Sequence, residues 1–171
     1  MTLGNPYKFA VLIDPIDDWN IDDTFCNGLL LVCVNGVIFP HEIHTATLRY
    51  EIGLLKQNLL SLNTNKRLYT LPAQQAFIEI YNITFPENVD IDNDYRFNIS
   101  PTLLSDNDCF IFAVCDGTNV RILASKLDYE IESGRHKLQD IMVYETFLSD
   151  NELNKIILSL ENFSQCKTPS H

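Results

Sequence analysis

The stretch Phe25-Cys26-Asn27-Gly28-Leu29-Leu30-Leu31-Val32-Cys33-Val34-Asn35-Gly36-Val37-Ile38-Phe39-Pro40 decides the fold. The uninterrupted apolar run Leu29 to Val34 is too short for a membrane span, and Phe25 to Val34 reads as a strand. It meets Asn35-Gly36, the dipeptide that most readily supplies the positive φ angles of a two-residue hairpin turn. Val37 to Phe39 then returns antiparallel until Pro40 stops it. Upstream, Tyr7 to Asp14 is a second strand, joined to the first by an acidic turn over Pro15 to Asp23 that carries the only tryptophan, Trp19.

Downstream the period changes. Leu48, Ile52, Leu55, Leu59 and Leu62 recur at helical spacing, which predicts a helix over Arg49 to Ser61. Asn63 to Asn65 breaks it, and Pro72 opens a second helix with Ala73, Ala76, Phe77, Ile80 and Tyr81 on its inner face. That helix must end before Pro86, and Glu87 to Asp94 follows as an acidic loop. Tyr95 to Ser100 alternates apolar and polar residues like a half-buried strand. Cys109 to Cys115 is uniformly apolar and reads as a central strand; Asp116-Gly117 turns it back into Asn119 to Leu127, and Asp140 to Phe147 is a further strand. Ser149-Asp150-Asn151-Glu152 is a capping box, after which Leu153, Ile156, Ile157 and Leu160 give one face of a last helix ending near Asn162. The expectation is one α+β domain over residues 1–164, a mostly antiparallel sheet with about three helices packed on it, and a flexible tail over 165–171.

The chain has 171 residues, 46% of them apolar and 20% charged, a globular composition. Its 12 Lys and Arg against 23 Asp and Glu give a net charge of −11. Such a surface repels nucleic acid and anionic lipid and attracts a basic protein. The start, Met1 to Pro6, lacks the basic segment of a secretory signal, so a cytoplasmic location is expected. Five cysteines, an odd number without a Cys-x-x-Cys pair, fit a reducing compartment. Cys109 and Cys115, about 20 Å apart on one strand, cannot bridge.

Motifs for chemistry are few. His41, Glu42 and His44 form the densest group of metal-capable side chains, but the histidines are three apart rather than four and follow Pro40, so a polar loop is the first reading. Asp90, Asp92 and Asp94 open like a calcium loop, yet Tyr95 and Pro101 stand where glycine and glutamate belong. His136 lies among turn residues with nothing to mark it as a base. Nucleophile elbows and phosphate-binding glycine loops are missing. No catalytic residue and no cofactor is assigned.

Ordered along the chain, Gly4-Asn5-Pro6-Tyr7-Lys8-Phe9-Ala10, Trp19-Asn20, Phe25 with Asn27-Gly28-Leu29, and Val34-Asn35-Gly36 running to Phe39-Pro40 resemble the start of the immunity protein 42 family. Tyr95-Arg96-Phe97 with Ile99-Ser100-Pro101, Val120-Arg121-Ile122-Leu123-Ala124, and Glu145 with Phe147-Leu148 continue the resemblance in register. It implies a small cytosolic protein of a bacterial polymorphic toxin system that binds and blocks a toxin without catalysis. The matching residues look structural: Gly28 and Gly36 as backbone positions, Phe9, Trp19, Phe25 and Phe39 as core or boundary aromatics. A basic toxin domain, with a nuclease as the first guess, suits the charge. The expected docking surface is the acidic turn with Asp17, Asp18, Trp19, Asp22 and Asp23, joined by Glu87, Asp90, Asp92 and Asp94. Core burial is the first expectation for Trp19 and a binding hot spot the second. The alternatives are an assembly module of another cytosolic complex and a small hydrolase built on His41, Glu42 and His44 with a divalent metal.

Overall fold

The computed structural model describes residues 1–20 and 25–165. The chain runs through β1 (Thr2–Gly4), β2 (Phe9–Pro15), a 3-10 turn (Asp17–Trp19), β3 (Asn27–Val34), β4 (Val37–Phe39), β5 (Thr45–Thr47), α1 (Leu48–Leu60), α2 (Lys66–Thr70) and α3 (Ala73–Thr84). It continues through α4 (Thr102–Ser105), β6 (Cys109–Cys115), β7 (Asn119–Lys126), β8 (Tyr129–Glu130), β9 (Arg135–His136), β10 (Tyr144–Ser149) and α5 (Asp150–Gln165). The α+β class and antiparallel pairing hold, but the expected sheet is divided. One sheet has the order β1-β2-β3-β4 with β5 also on β3, a second has β10-β7-β6, and β8 and β9 form a small ribbon.

The hairpin that decided the fold forms as read. Val34 pairs with Val37, and Asn35 and Gly36 take φ of 50° and 81° between them. β4 and β5 both pair with β3, one at each half of it, and β5 leads directly into α1. Gly28 lies so close to β2 that a Cβ would strike the Asp14 carbonyl oxygen and sit 2.8 Å from Pro15 Cα. The first sheet therefore requires glycine there.

Two cores flank the second sheet. In the first, Phe9, Val11 and Val32 of the first sheet meet Ile52 and Leu55 of α1, Ile156 and Leu160 of α5, and Ile111 and Ile122 of the second sheet. In the other, Phe110, Phe112 and Leu123 on the opposite face of that sheet meet Phe77, Ile80 and Tyr81 of α3. Alternate side chains of β6 thus enter different cores, which explains its uninterrupted apolar run. The run does not make it central, as expected; β6 is the edge of its ladder and β7 the middle. Its outer edge is covered by irregular chain, with Asn65 N–H donating to the Cys115 carbonyl at 2.9 Å and Ile99 N–H to the Ile111 carbonyl at 3.0 Å.

Other expectations shift for local reasons. Tyr95 to Ser100 forms no strand: Phe97 and Ile99 are buried as the alternation required, but only Asn98 bridges to β6. Side chains satisfy the backbone instead, since Asn98 Oδ1 accepts from Ser100 N–H at 2.9 Å and Ser100 Oγ from Ile111 N–H at 2.7 Å. The strand read over Asp140 to Phe147 lies at Tyr144–Ser149, after a turn in which Asp140 has φ of 54°. Beyond the three expected helices stand two short ones, α2 and α4. Asn65 caps α2 by accepting from Leu68 N–H at 3.0 Å. Pro72 precedes the first helical residue of α3 rather than occupying it. The last helix runs to Gln165, and the rest of the expected tail lies outside the described residues.

Candidate functional site

The acidic turn between β2 and β3 is built on Asn20. Its side-chain NH₂ donates to the carbonyls of Ile16 at 2.7 Å and Asn27 at 2.9 Å, and its Oδ1 accepts from Asn27 N–H at 2.6 Å. Asn27 replies with a bond from its own side chain to the Trp19 carbonyl at 3.3 Å. One amide therefore closes the mouth of the β2–β3 pair and fixes the single turn that carries Asp17, Asp18 and Trp19 outward. Both aspartates are exposed, and no cation among the described residues lies within ion-pair reach of either. Trp19 is 41% exposed, against the expectation of core burial. The backbone of this single turn is closed by Trp19 N–H donating to the Ile16 carbonyl at 3.0 Å. Phe25 is exposed as well, whereas Phe9 and Phe39 are fully buried. Asp22 and Asp23 lie outside the described residues.

The second acidic segment stands apart from the first. It follows α3, on the layer packed against the far face of the second sheet, while the Asp17 turn caps the first sheet. Two of its carboxylates are neutralised locally: Glu87 Oε1 lies 2.9 Å from Arg135 Nη1, and Asp94 Oδ2 lies 2.7 Å from Arg96 Nε. The Arg96 hydrogen bond holds the Asp94 carboxyl below its ordinary range. Asp90 and Asp92 are exposed, with no such partner among the described residues.

His41, Glu42 and His44 do not converge. His41 stacks on Phe39 with ring centroids 5.4 Å apart, and His44 Nε2 stands 4.0 Å from Glu42 Oε2. Among the described residues no three His, Cys, Asp or Glu side chains are grouped to hold a metal. The buried thiols are unreactive in character, Cys109 being pushed up to about 11 by burial.

A different constellation is present that sequence reading did not find. Tyr81 Oη lies 2.8 Å from His136 Nδ1, and His136 Nε2 lies 2.8 Å from Asp108 Oδ1. Asp108 can only accept, so Nε2 carries the proton, and in the neutral ring Nδ1 accepts from the phenol. Burial pushes Tyr81 up to about 12, so the phenol stays protonated and is no nucleophile at neutral pH. The chain of bonds fastens the β8–β9 ribbon to α3 and to the turn before β6. The partners lie 55 and 28 residues from His136, and no local pattern connects them.

Comparison with known proteins agrees with the architecture. The model of a family described as immunity protein 42 matches residues 1–163. The crystal structure of CdiI from Burkholderia dolosa superposes with a TM-score of 0.74 at 21% identity, covering 95% of this chain and 99% of that one, a likeness of fold. None of the curated proteins matches the chain. Among the described residues no helix is long and apolar enough to cross a membrane.

Proposed function

We propose, from the premise that the chain belongs to the immunity protein 42 family and is a toxin-neutralising immunity protein, that it acts by binding its cognate toxin domain directly, in the cytoplasm and without catalysis of its own. The family match over 163 of 171 residues carries the role. The net charge of −11 supports a basic partner, and a nuclease fits best because an enzyme that holds phosphates needs a positive face. The docking surface in this reading is the Asn20-braced turn with Asp17, Asp18 and Trp19, continued by Asp22 and Asp23; Glu87, Asp90, Asp92 and Asp94 form a second contact. What supports the first of these is geometry. A rigid turn with unneutralised carboxylates beside an exposed tryptophan presents both long-range attraction and a hot-spot side chain. The Tyr81–His136–Asp108 chain is read as a structural tie, since burial keeps the Tyr81 phenol protonated at neutral pH.

The test is protection in cells. Toxin domains encoded beside this chain are expressed with and without it, and survival is scored together with co-purification of the pair. Rescue with a stable complex is expected; rescue without any complex would point to catalytic detoxification and overturn direct binding.

A further inference from the structure

Beside the Tyr81–His136–Asp108 chain lies a cavity of about 340 Å³, near the lower end of the roughly 300–1,000 Å³ usual for ligand pockets. Rings make most of its wall: Tyr81, Phe85, Phe110, Tyr129 and His136. They brace one another, with centroids 5.1 Å apart for Tyr81 and Phe85, 5.0 Å for Phe110 and His136, and 5.3 Å for Tyr129 and His136. Tyr129 remains 53% exposed, so much of its ring is open to an incoming group.

The charges around these rings are chiefly negative. Asp106 lines the cavity and is exposed. Asp108 stands behind His136 at 2.8 Å. The one guanidinium in the wall, Arg135, is already held, with Nη1 2.9 Å from Glu87 and Nη2 donating to the Phe85 carbonyl at 3.3 Å. Asp106, Asp108 and Glu87 thus stand near a cation that is already held, and of the three Asp106 lines the cavity itself. Aromatic faces attract cations through their quadrupoles, and a flat guanidinium can stack on a ring while its N–H groups reach a carboxylate.

The geometry points to this cavity as the receptor for an arginine side chain of the bound toxin. The inference rests on the reading of the chain as a toxin-binding protein and adds a specific anchor to it. Glu87, which holds Arg135 at the cavity wall, also links the pocket to the acidic Glu87 to Asp94 loop.

The experiment titrates the isotope-labelled full-length protein with N-acetyl-arginine amide and follows backbone and ring signals by NMR. N-acetyl-norleucine amide and N-acetyl-glutamate amide serve as neutral and anionic probes. Saturable shifts at Tyr129 and His136 are expected for the arginine probe alone; read at His136, they should weaken at least about five-fold in Asp106→Asn and in Tyr129→Ala, two exposed positions, with the remaining signals of each variant used to check its fold. Absence of saturable shifts with the arginine probe, or equal binding of norleucine, would overturn the inference; binding of the glutamate probe would reassign the pocket to anions through Arg135. Protection of cells by the wild-type chain is scored separately, so a silent pocket with intact protection removes only this anchor, while loss of protection removes the toxin-binding reading itself.

Discussion

Arg121 and Glu145 meet across the second sheet, with Nη2 2.6 Å and Nε 2.8 Å from one carboxylate oxygen. Arg121 is 3% exposed, and its remaining nitrogen donates to the carbonyls of Tyr69 at 2.9 Å and Leu71 at 2.7 Å, at the C-terminal end of α2. The guanidinium thus neutralises a carboxylate and satisfies a helix end that has no partners of its own. Both residues belong to segments through which the sequence resembles its family. Replacing Glu145 by alanine leaves a buried charge without its counter-ion. A loss of about 2–3 kcal/mol in urea denaturation is expected, below the roughly 3–5 kcal/mol of a fully enclosed pair because Glu145 keeps some contact with water. A change under about 0.5 kcal/mol would show that the pair only decorates the sheet.

Ile157 tests the docking of α5. With Leu153, Ile156 and Leu160 it forms the buried face that closes the first core against α1. Ile157→Ala is expected to cost about 2–5 kcal/mol by thermal or urea unfolding. An unchanged transition would mean that the helix does not pack on the sheets.

These elements were legible because their signals are local. Asn35-Gly36 specifies a turn within two residues, and Ser149 with Glu152 forms the expected reciprocal cap, at 2.9 Å from Ser149 N–H to Glu152 Oε2 and 3.4 Å from Glu152 N–H to Ser149 Oγ. What sequence did not disclose depends on the assembled chain. Arg121 and Glu145 are 24 residues apart, and neither spacing nor composition pairs them. The apolar run of β6 reports two buried faces and says nothing of edge or centre, so a strand between two cores imitates a central one. The turn that carries the exposed Trp19 is tied by Asn20 across strands that must first pair, a contact invisible in the one-dimensional pattern. The candidate surface was legible as charge, while its division into two separate patches, one of them partly neutralised, was not.

Asn20→Ala removes three bonds from the acidic turn at once. Stability is expected to fall by about 1–2 kcal/mol, since the neighbouring backbone groups can turn to water at this exposed end. The sharper readout is amide hydrogen exchange, in which Asn27 N–H should lose protection while Val32 and Val34 in the same strand keep theirs. Unaltered exchange at Asn27 would show that the turn holds without the asparagine.

Acid stability carries a signature of Lys8 and Glu152. The Lys8 hydrogen bond at 2.6 Å, aided by Ser149, draws Glu152 down to about 2. A carboxylate whose folded pKa lies below its unfolded value stabilises the fold above the unfolded value, near 4.5, and loses that contribution as pH falls toward 2. Both side chains are substantially exposed, so the effect is small, about 1 kcal/mol or less. Glu152→Gln should therefore lower the melting temperature slightly at pH 7 and not at pH 2. Equal differences at both pH values would assign the loss to helix capping alone.

Charge reversal decides whether the braced turn meets the toxin. Carboxylates at the rim of an interface act mainly on the encounter, because their field reaches out about a Debye length before contact, roughly 8–10 Å at ordinary salt. The variant with Asp17, Asp18, Asp22 and Asp23 changed to lysine should therefore associate more slowly with a basic partner and show a flatter dependence on ionic strength, while dissociation changes less. Trp19→Ala acts in the opposite sense: Trp19 is exposed in the free protein and would be covered only after contact, so its loss should accelerate dissociation with little change in association. The two variants separate attraction from anchoring on the same turn. Stopped-flow measurements at two salt concentrations that give wild-type association for the charge variant and wild-type dissociation for the tryptophan variant would remove this turn from the interface and leave its carboxylates as a source of solubility.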